Sequence, residues 1–192
     1  MKEHANISEE RRLLIEDSVA EFVESGRADN AIIPVEIYAG DNYVKRIDVV
    51  ATTFSLLNGE KLFQFHEAKV IEEIAAHYGF RLLTAQEAGI IIHVFGGPIL
   101  RESGQKVLET LGLEKLGFGF PAKTLLHQEE GKRASYWTGD STNKHTGSED
   151  DKACSLEVAH GYAKLGDEPA DSWRAIIFTL IQEDDDEQLS FL

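Results

Sequence analysis

The sequence predicts an α+β fold, and three observations carry that prediction. Apolar residues recur at helical spacing in two stretches, 9–25 and 66–78. Runs rich in β-branched and aromatic residues fill 31–65 and return after Lys123. Glycine and polar clusters mark the transitions between them.

The first helix is read from EERRLLIEDSVAEFVES, where Leu14, Ile15, Val19, Phe22 and Val23 form one apolar stripe. Ser8 stands at its N-cap, acidic residues open its first turn and Gly26 ends it. The stripe must be covered, either by the rest of the chain or by a second subunit in a homo-oligomer, with the second reading slightly favoured. Residues 31–65 read as three strands: two runs around a turn at 39–42, then KLFQF after Asn58-Gly59. Pro34 lacks an N–H, so the first strand is expected at an edge or broken there.

HEAKVIEEIAAHY gives a helix with Ala68, Val70, Ile71, Ile74 and Ala75 on one face, and Gly79 suits a left-handed C-cap. FRLLT then leads to Thr84 and, three residues on, Glu87, a capping-box spacing. The following AQEAGIIIHVFGG is apolar enough to be a largely covered helix. Residues 103–111 are a further helical candidate, and Gly112, Gly117 and Gly119 break it into a loop ending FGFPA. RASYWTG, ACSLEVA, HGYAKLG and SWRAIIFTLIQ are strand-like, with DSTNKHTGSEDD the longest separator. EDDDE near the C-terminus reads as a solvated tail.

A chain of 192 residues with 42% hydrophobic residues can bury a single sizeable core. Acidic residues outnumber basic ones 34 to 19, a formal charge of -15, so a phosphate backbone is repelled and nucleic acid is a poor partner. The single cysteine, Cys154, excludes an intramolecular disulfide and a paired-cysteine zinc site. The polar start of the chain and the lack of an apolar run of roughly 20 residues predict no signal peptide and no membrane insertion. The expected location is the cytoplasm or a virion assembled there.

The stretch EAKVIEEIAAHYGFRLLTAQEA resembles the part of formylglycine-generating enzymes and related lectin-like bacterial domains that reads helix, Gly-aromatic, then R-L-P-T-x-x-E-W. LGFGFPA is similar to their glycine-rich loop, SYWTGDS to their Y-W-[ST]-S-[ST] strand and turn, and SWRAIIF to their closing strand. The resemblance spans about 65–181 and implies a C-type-lectin-like domain over 65–182. Before it stands an N-terminal helix and β-rich segment (1–64), packed on or part of that domain, and after it the acidic tail (183–192). Leu83 replaces the usual Pro and Ala88 the usual Trp. The enzymes of that superfamily use two cysteines, which this chain lacks, so the resemblance points to a non-catalytic bacterial or phage branch.

Within that frame Arg81 and Thr84 are expected to order the turn between helices, Trp137 to fill the core, and Arg174 to neutralise a buried Glu87. The resemblance places ligand contacts after the Y-W strand and on the last hairpins, at Asn143, Lys144, His145, His160 and Tyr162. A tolerant surface loop is an equally good reading of that stretch. Asp140, Glu149, Asp150 and Asp151 are ligands that calcium would accept, but their spacing does not specify a site, and no cofactor is expected. His66 and His77 lie too far apart to share an ion and read as helix surface; His93, within IIIHVF, reads as a core histidine.

The expectation is therefore a non-enzymatic binding or structural module. Its loops would contact a protein or glycan, as in a phage decoration or receptor-binding protein. The alternatives are an intracellular interaction protein and an enzyme, although no elbow, zinc helix or phosphate loop names a reaction.

Overall fold

The computed structural model describes residues 7–39, 42–85, 87–88, 116–119, 134–141, 152–159 and 162–182. Helices and antiparallel sheets share these residues, which places the chain in the α+β class.

Helix α1 (Glu9–Glu24) starts where Ser8 Oγ accepts the Arg11 N–H at 3.1 Å and ends before Gly26, whose φ of 81° an L side chain would strain. A short α2 (Arg27–Asn30) follows. Strands β1 (Ile32–Ala39) and β2 (Asn42–Thr53) form a hairpin whose last pair is Ala39 with Asn42. Pro34 lies on the part of β1 that pairs with β2 alone among the described residues, since β4 (Leu116–Gly119) reaches only Glu36–Ala39. That satisfies the edge requirement of a residue with no N–H to give.

Two local expectations change. KLFQF contributes no third strand, only a bridge between Phe63 and Arg174, because Gln64 already caps α3 (Phe65–Ala76). The helix takes the residues a longer strand would need. Leu116–Gly119, expected as a glycine-rich loop, is an extended strand, since main-chain bonds to β1 outweigh the poor β-propensity of Gly117 and Gly119.

Strands β3 (Phe80–Leu82) and β8 (Ile177–Leu180) complete a five-stranded sheet in the order β3-β8-β2-β1-β4. A second sheet is the meander β5 (Ala134–Ser141), β6 (Lys152–Ala159) and β7 (Tyr162–Pro169). The sheets meet along 172–176, where Trp137 N–H donates to Ala175 O at 2.9 Å and Ala175 N–H to Ser135 O at 2.9 Å.

Helix α1 packs on its own chain. Ile15, Val19 and Phe22 are almost fully buried with Phe54, Phe63, Ile71 and Phe178 in one core. Phe22 meets Phe54 edge-on at 5.6 Å, and Phe54 and Phe178 lie 5.4 Å apart. Of the two covers open to this stripe, its own chain supplies one, and residues between Ile15 and Phe63 contribute side chains to the same core as Ile71 and Phe178. Ser18 Oγ accepts from Leu57 N–H at 2.9 Å and fastens the helix to the following loop. No helix among the described residues is long and apolar enough to cross a membrane.

Candidate recognition site

The site is built where α3, β3 and β5 converge. Gly79, with φ 84°, ends the turn after α3 and lets the chain reverse into β3. Beyond β3, the spacing of Thr84 and Glu87 forms the capping box in both directions. Thr84 N–H donates to Glu87 Oε1 at 2.9 Å, and Glu87 N–H donates to Thr84 Oγ1 at 3.2 Å. Ala88 N–H donates to Thr84 O at 2.9 Å, the first bond of a helical turn.

Glu87 is 1% exposed and does have a cationic partner, but not the one expected. Arg81 grips its carboxylate with two nitrogens at 2.6 and 2.8 Å, and the same guanidinium donates to Leu82 O at 3.1 Å. Arg174 instead lies over the Trp137 ring, 6.0 Å from its centroid, and pairs with Glu168 at 3.3 Å. Arg81 lies six residues before Glu87, so the pair closes locally, whereas Arg174 is committed to the junction of the two sheets.

Trp137 fills the core as expected: it is 1% exposed, and its indole N–H donates to Phe63 O at 2.7 Å. Its neighbour Tyr136 is mostly buried, which pushes its hydroxyl above the ordinary tyrosine value. Further along β5, Gly139 is held from two sides. Its N–H donates to Leu83 O at 2.8 Å, and its carbonyl accepts from Lys69 Nζ at 3.2 Å. Lys69 also pairs with Glu72, and Glu72 accepts Leu82 N–H at 2.8 Å. A Cβ on Gly139 would stand 3.2 Å from Glu72 Oε2 and 3.7 Å from Leu82 Cβ, so a glycine lets the strand approach this closely.

Lys69, Glu72 and Gly139 were not singled out in the sequence. The available signal was the spacing of Lys69 and Glu72 on α3, an ion-pair distance along a helix. Their effect is to fix the end of β5, from which residues 142–151 connect to β6.

Asn143, Lys144 and His145 belong to that connection, and His160 to the β6–β7 link; all four lie outside the described residues, as do His93, residues 103–111 and the tail 183–192. Tyr162 opens β7 opposite Ala159. Ser141 pairs with Ala153, six residues back along β6. The two attachment points are therefore separated by roughly 20 Å of strand, which argues against gathering all five residues into one contact.

A separate charged group ties α1 down. Arg11 bonds Glu60 at 2.6 Å and Glu67 at 3.2 Å. The Arg11 hydrogen bond holds the Glu60 carboxyl below its ordinary value, and Arg11 is raised in turn, chiefly by Glu60. Among the described residues no group of three or more His, Cys, Asp or Glu is placed to hold a metal ion.

No protein-family model, no curated protein and no solved structure matches the chain.

Proposed function

We propose that the chain is a non-enzymatic, lectin-like recognition module that contacts a protein or glycan through residues 142–151, with Asn143, Lys144 and His145 as the contacting side chains. The observation that carries this reading is the root of that connection. Gly139 is pinned by Leu83 and Lys69 two residues before β5 ends, and Trp137 is pinned by Ala175 and Phe63. A polar connection rising from a fixed strand end can present side chains without first ordering its base. The order of motifs from Arg81 through Trp137 to Arg174 supports the lectin-like assignment, and the charge of -15 argues against anionic partners. A phage decoration or receptor-binding protein is the setting we favour.

The test is a glycan array, with and without calcium, probed with the full chain and with a variant carrying Asn143→Ala, Lys144→Ala and His145→Ala. Binding lost in the variant supports the reading. Absence of binding in both conditions, together with no captured surface protein, overturns it.

A further inference from the structure

We infer that Asn58 is a site of spontaneous covalent self-modification: Gly59 converts it through a cyclic imide to aspartate or isoaspartate, Glu60 sets the rate, and the product loosens the hold of α1 on the rest of the chain. The chemistry is independent of residues 142–151.

The reacting groups are adjacent in sequence. Asn58 is the one asparagine of the chain followed by glycine, and both lie in the stretch 57–62, exposed throughout between buried Leu56 and Phe63. The Gly59 nitrogen gives up its proton and attacks Cγ of Asn58; the Cγ–Nδ2 bond breaks, and that nitrogen leaves as ammonia with a proton in exchange. Water then opens the imide at either carbonyl, giving aspartate or, with the main chain rerouted through the side chain, isoaspartate. Water is the only co-reactant, and nothing is oxidised or reduced. Glycine suits the step because it puts no Cβ beside the attacking nitrogen. A Cβ on Gly59 would meet nothing within 4 Å, so its φ of 91°, not close packing, is what the fold asks of this residue.

The fold restrains both reactants. Gly59 N–H donates to Leu56 O at 2.9 Å, so the attacking nitrogen is engaged. Asn58 Oδ1 accepts from Glu60 N–H at 3.1 Å, and the departing Nδ2 donates to Glu60 Oε1 at 2.8 Å. Leu56 N–H donates to Glu60 O at 2.9 Å and closes the stretch behind them. Attack therefore waits for a local opening, and Glu60, which holds Asn58 by main chain and side chain together, governs how often one occurs.

The same contacts carry the consequence to α1. Glu60 Oε2 accepts from Arg11 at 2.6 Å, and Arg11 Nε donates to Glu67 Oε1 at 3.2 Å, so the stretch, α1 and α3 meet at one guanidinium. Aspartate at position 58 replaces a donor 2.8 Å from Glu60 Oε1 with a second carboxylate, and two like charges at that distance must separate. Isoaspartate does the same and also lengthens the main chain by a methylene. Either product removes the donor that fixes the Glu60 carboxylate where Arg11 meets it, and the first turns of α1 lose part of their tie.

The experiment incubates the full chain at neutral and mildly alkaline pH, folded and unfolded in urea, in water enriched in heavy oxygen, and follows each asparagine by peptide mass spectrometry. Conversion with uptake of one heavy oxygen is expected at Asn58 and not at Asn30, which is exposed but followed by Ala31. It should quicken as pH rises, because the attacking nitrogen must lose its proton. The folded chain should react more slowly than the unfolded one. Glu60→Ala should raise the folded rate about fivefold, the effect of losing one hydrogen bond, and leave the unfolded rate unchanged. Glu60→Gln, which still offers an acceptor to Nδ2, should stay near the wild-type rate. Asn58→Asp, which carries the product's charge from the start, should show faster amide hydrogen exchange in the first turns of α1 with β2 unchanged. No conversion of Asn58 in the folded chain while the unfolded chain reacts, a folded rate indifferent to Glu60→Ala, or unchanged exchange of α1 in Asn58→Asp overturns the proposal.

Discussion

Replacing Arg81 with Ala tests its buried ion pair with Glu87. The substitution removes two short bonds, 2.6 and 2.8 Å, from a carboxylate whose side chain is 2% exposed. Thr84 N–H still donates to Glu87 Oε1, so the carboxylate keeps that neutral donor and loses the charge of Arg81. Removing one partner of a buried pair costs about 3–5 kcal/mol, of which the Thr84 donor and some water entry recover part. A loss of about 3 kcal/mol is the expected outcome. With a urea slope of about 2 kcal/mol per M, the midpoint should fall by roughly 1.5 M. Urea unfolding followed by tryptophan fluorescence measures it directly, because Trp137 lies in the same core. Glu87→Gln should cost less, about 1–2 kcal/mol, since it leaves no buried anion and Arg81 retains some access to water. A loss below about 1 kcal/mol for Arg81→Ala, or a larger loss for Glu87→Gln than for Arg81→Ala, would refute the reasoning.

Two further outcomes follow from the same geometry. Gly139→Ala should destabilise the chain by about 1–2 kcal/mol in thermal unfolding, because the new methyl meets Glu72 Oε2 at 3.2 Å and Glu72 is itself held by Leu82 and Lys69; an unchanged midpoint would show that Glu72 yields freely. Arg11→Ala should cost about 2 kcal/mol at neutral pH by unpairing Glu60 and the nearly buried Glu67. The Glu60 carboxyl is depressed in the folded state, so its share is complete above the ordinary carboxylate value and is lost as pH falls through the folded one. The gap between variant and wild type should therefore narrow below about pH 4, and a gap that widens in acid would contradict the assignment.

The features legible in the sequence are those settled within a few residues. Ser8 caps α1, Gly26 and Gly79 take the left-handed conformation, and Thr84 and Glu87 close a capping box, because each involves neighbours three or four positions apart or a single backbone angle. The strand-like runs after residue 133 became β5 to β8 for a similar reason, since alternation is a local pattern. What escaped the sequence was pairing across distance. Leu116–Gly119 is a strand only because β1 offers it partners, and nothing local in a glycine-rich tetrapeptide announces that. Glu87 had two arginines to choose between, and motif order favoured Arg174 while the short turn from β3 to the cap delivered Arg81, six residues away. The stripe of α1 was visible, but whether its own chain or another would cover it depended on where Phe54, Ile71 and Phe178 came to lie.

The position of β8 has a consequence for how the chain reaches this state. It lies between β3 and β2, so β3 stays apart from β2, β1 and β4 until Ile177–Leu180 arrives, and Phe178 must still reach rings contributed by Phe22, Phe54 and Phe80. Val49 pairs with Thr179 across most of the sequence. Closing so long a loop comes before any gain from pairing, which slows folding. During synthesis the helices and the β1–β2 hairpin emerge long before the strand that joins them, and they must wait with apolar faces uncovered. Ile177–Leu180, made long after them, is thus the stretch that joins β3 to the rest of the sheet.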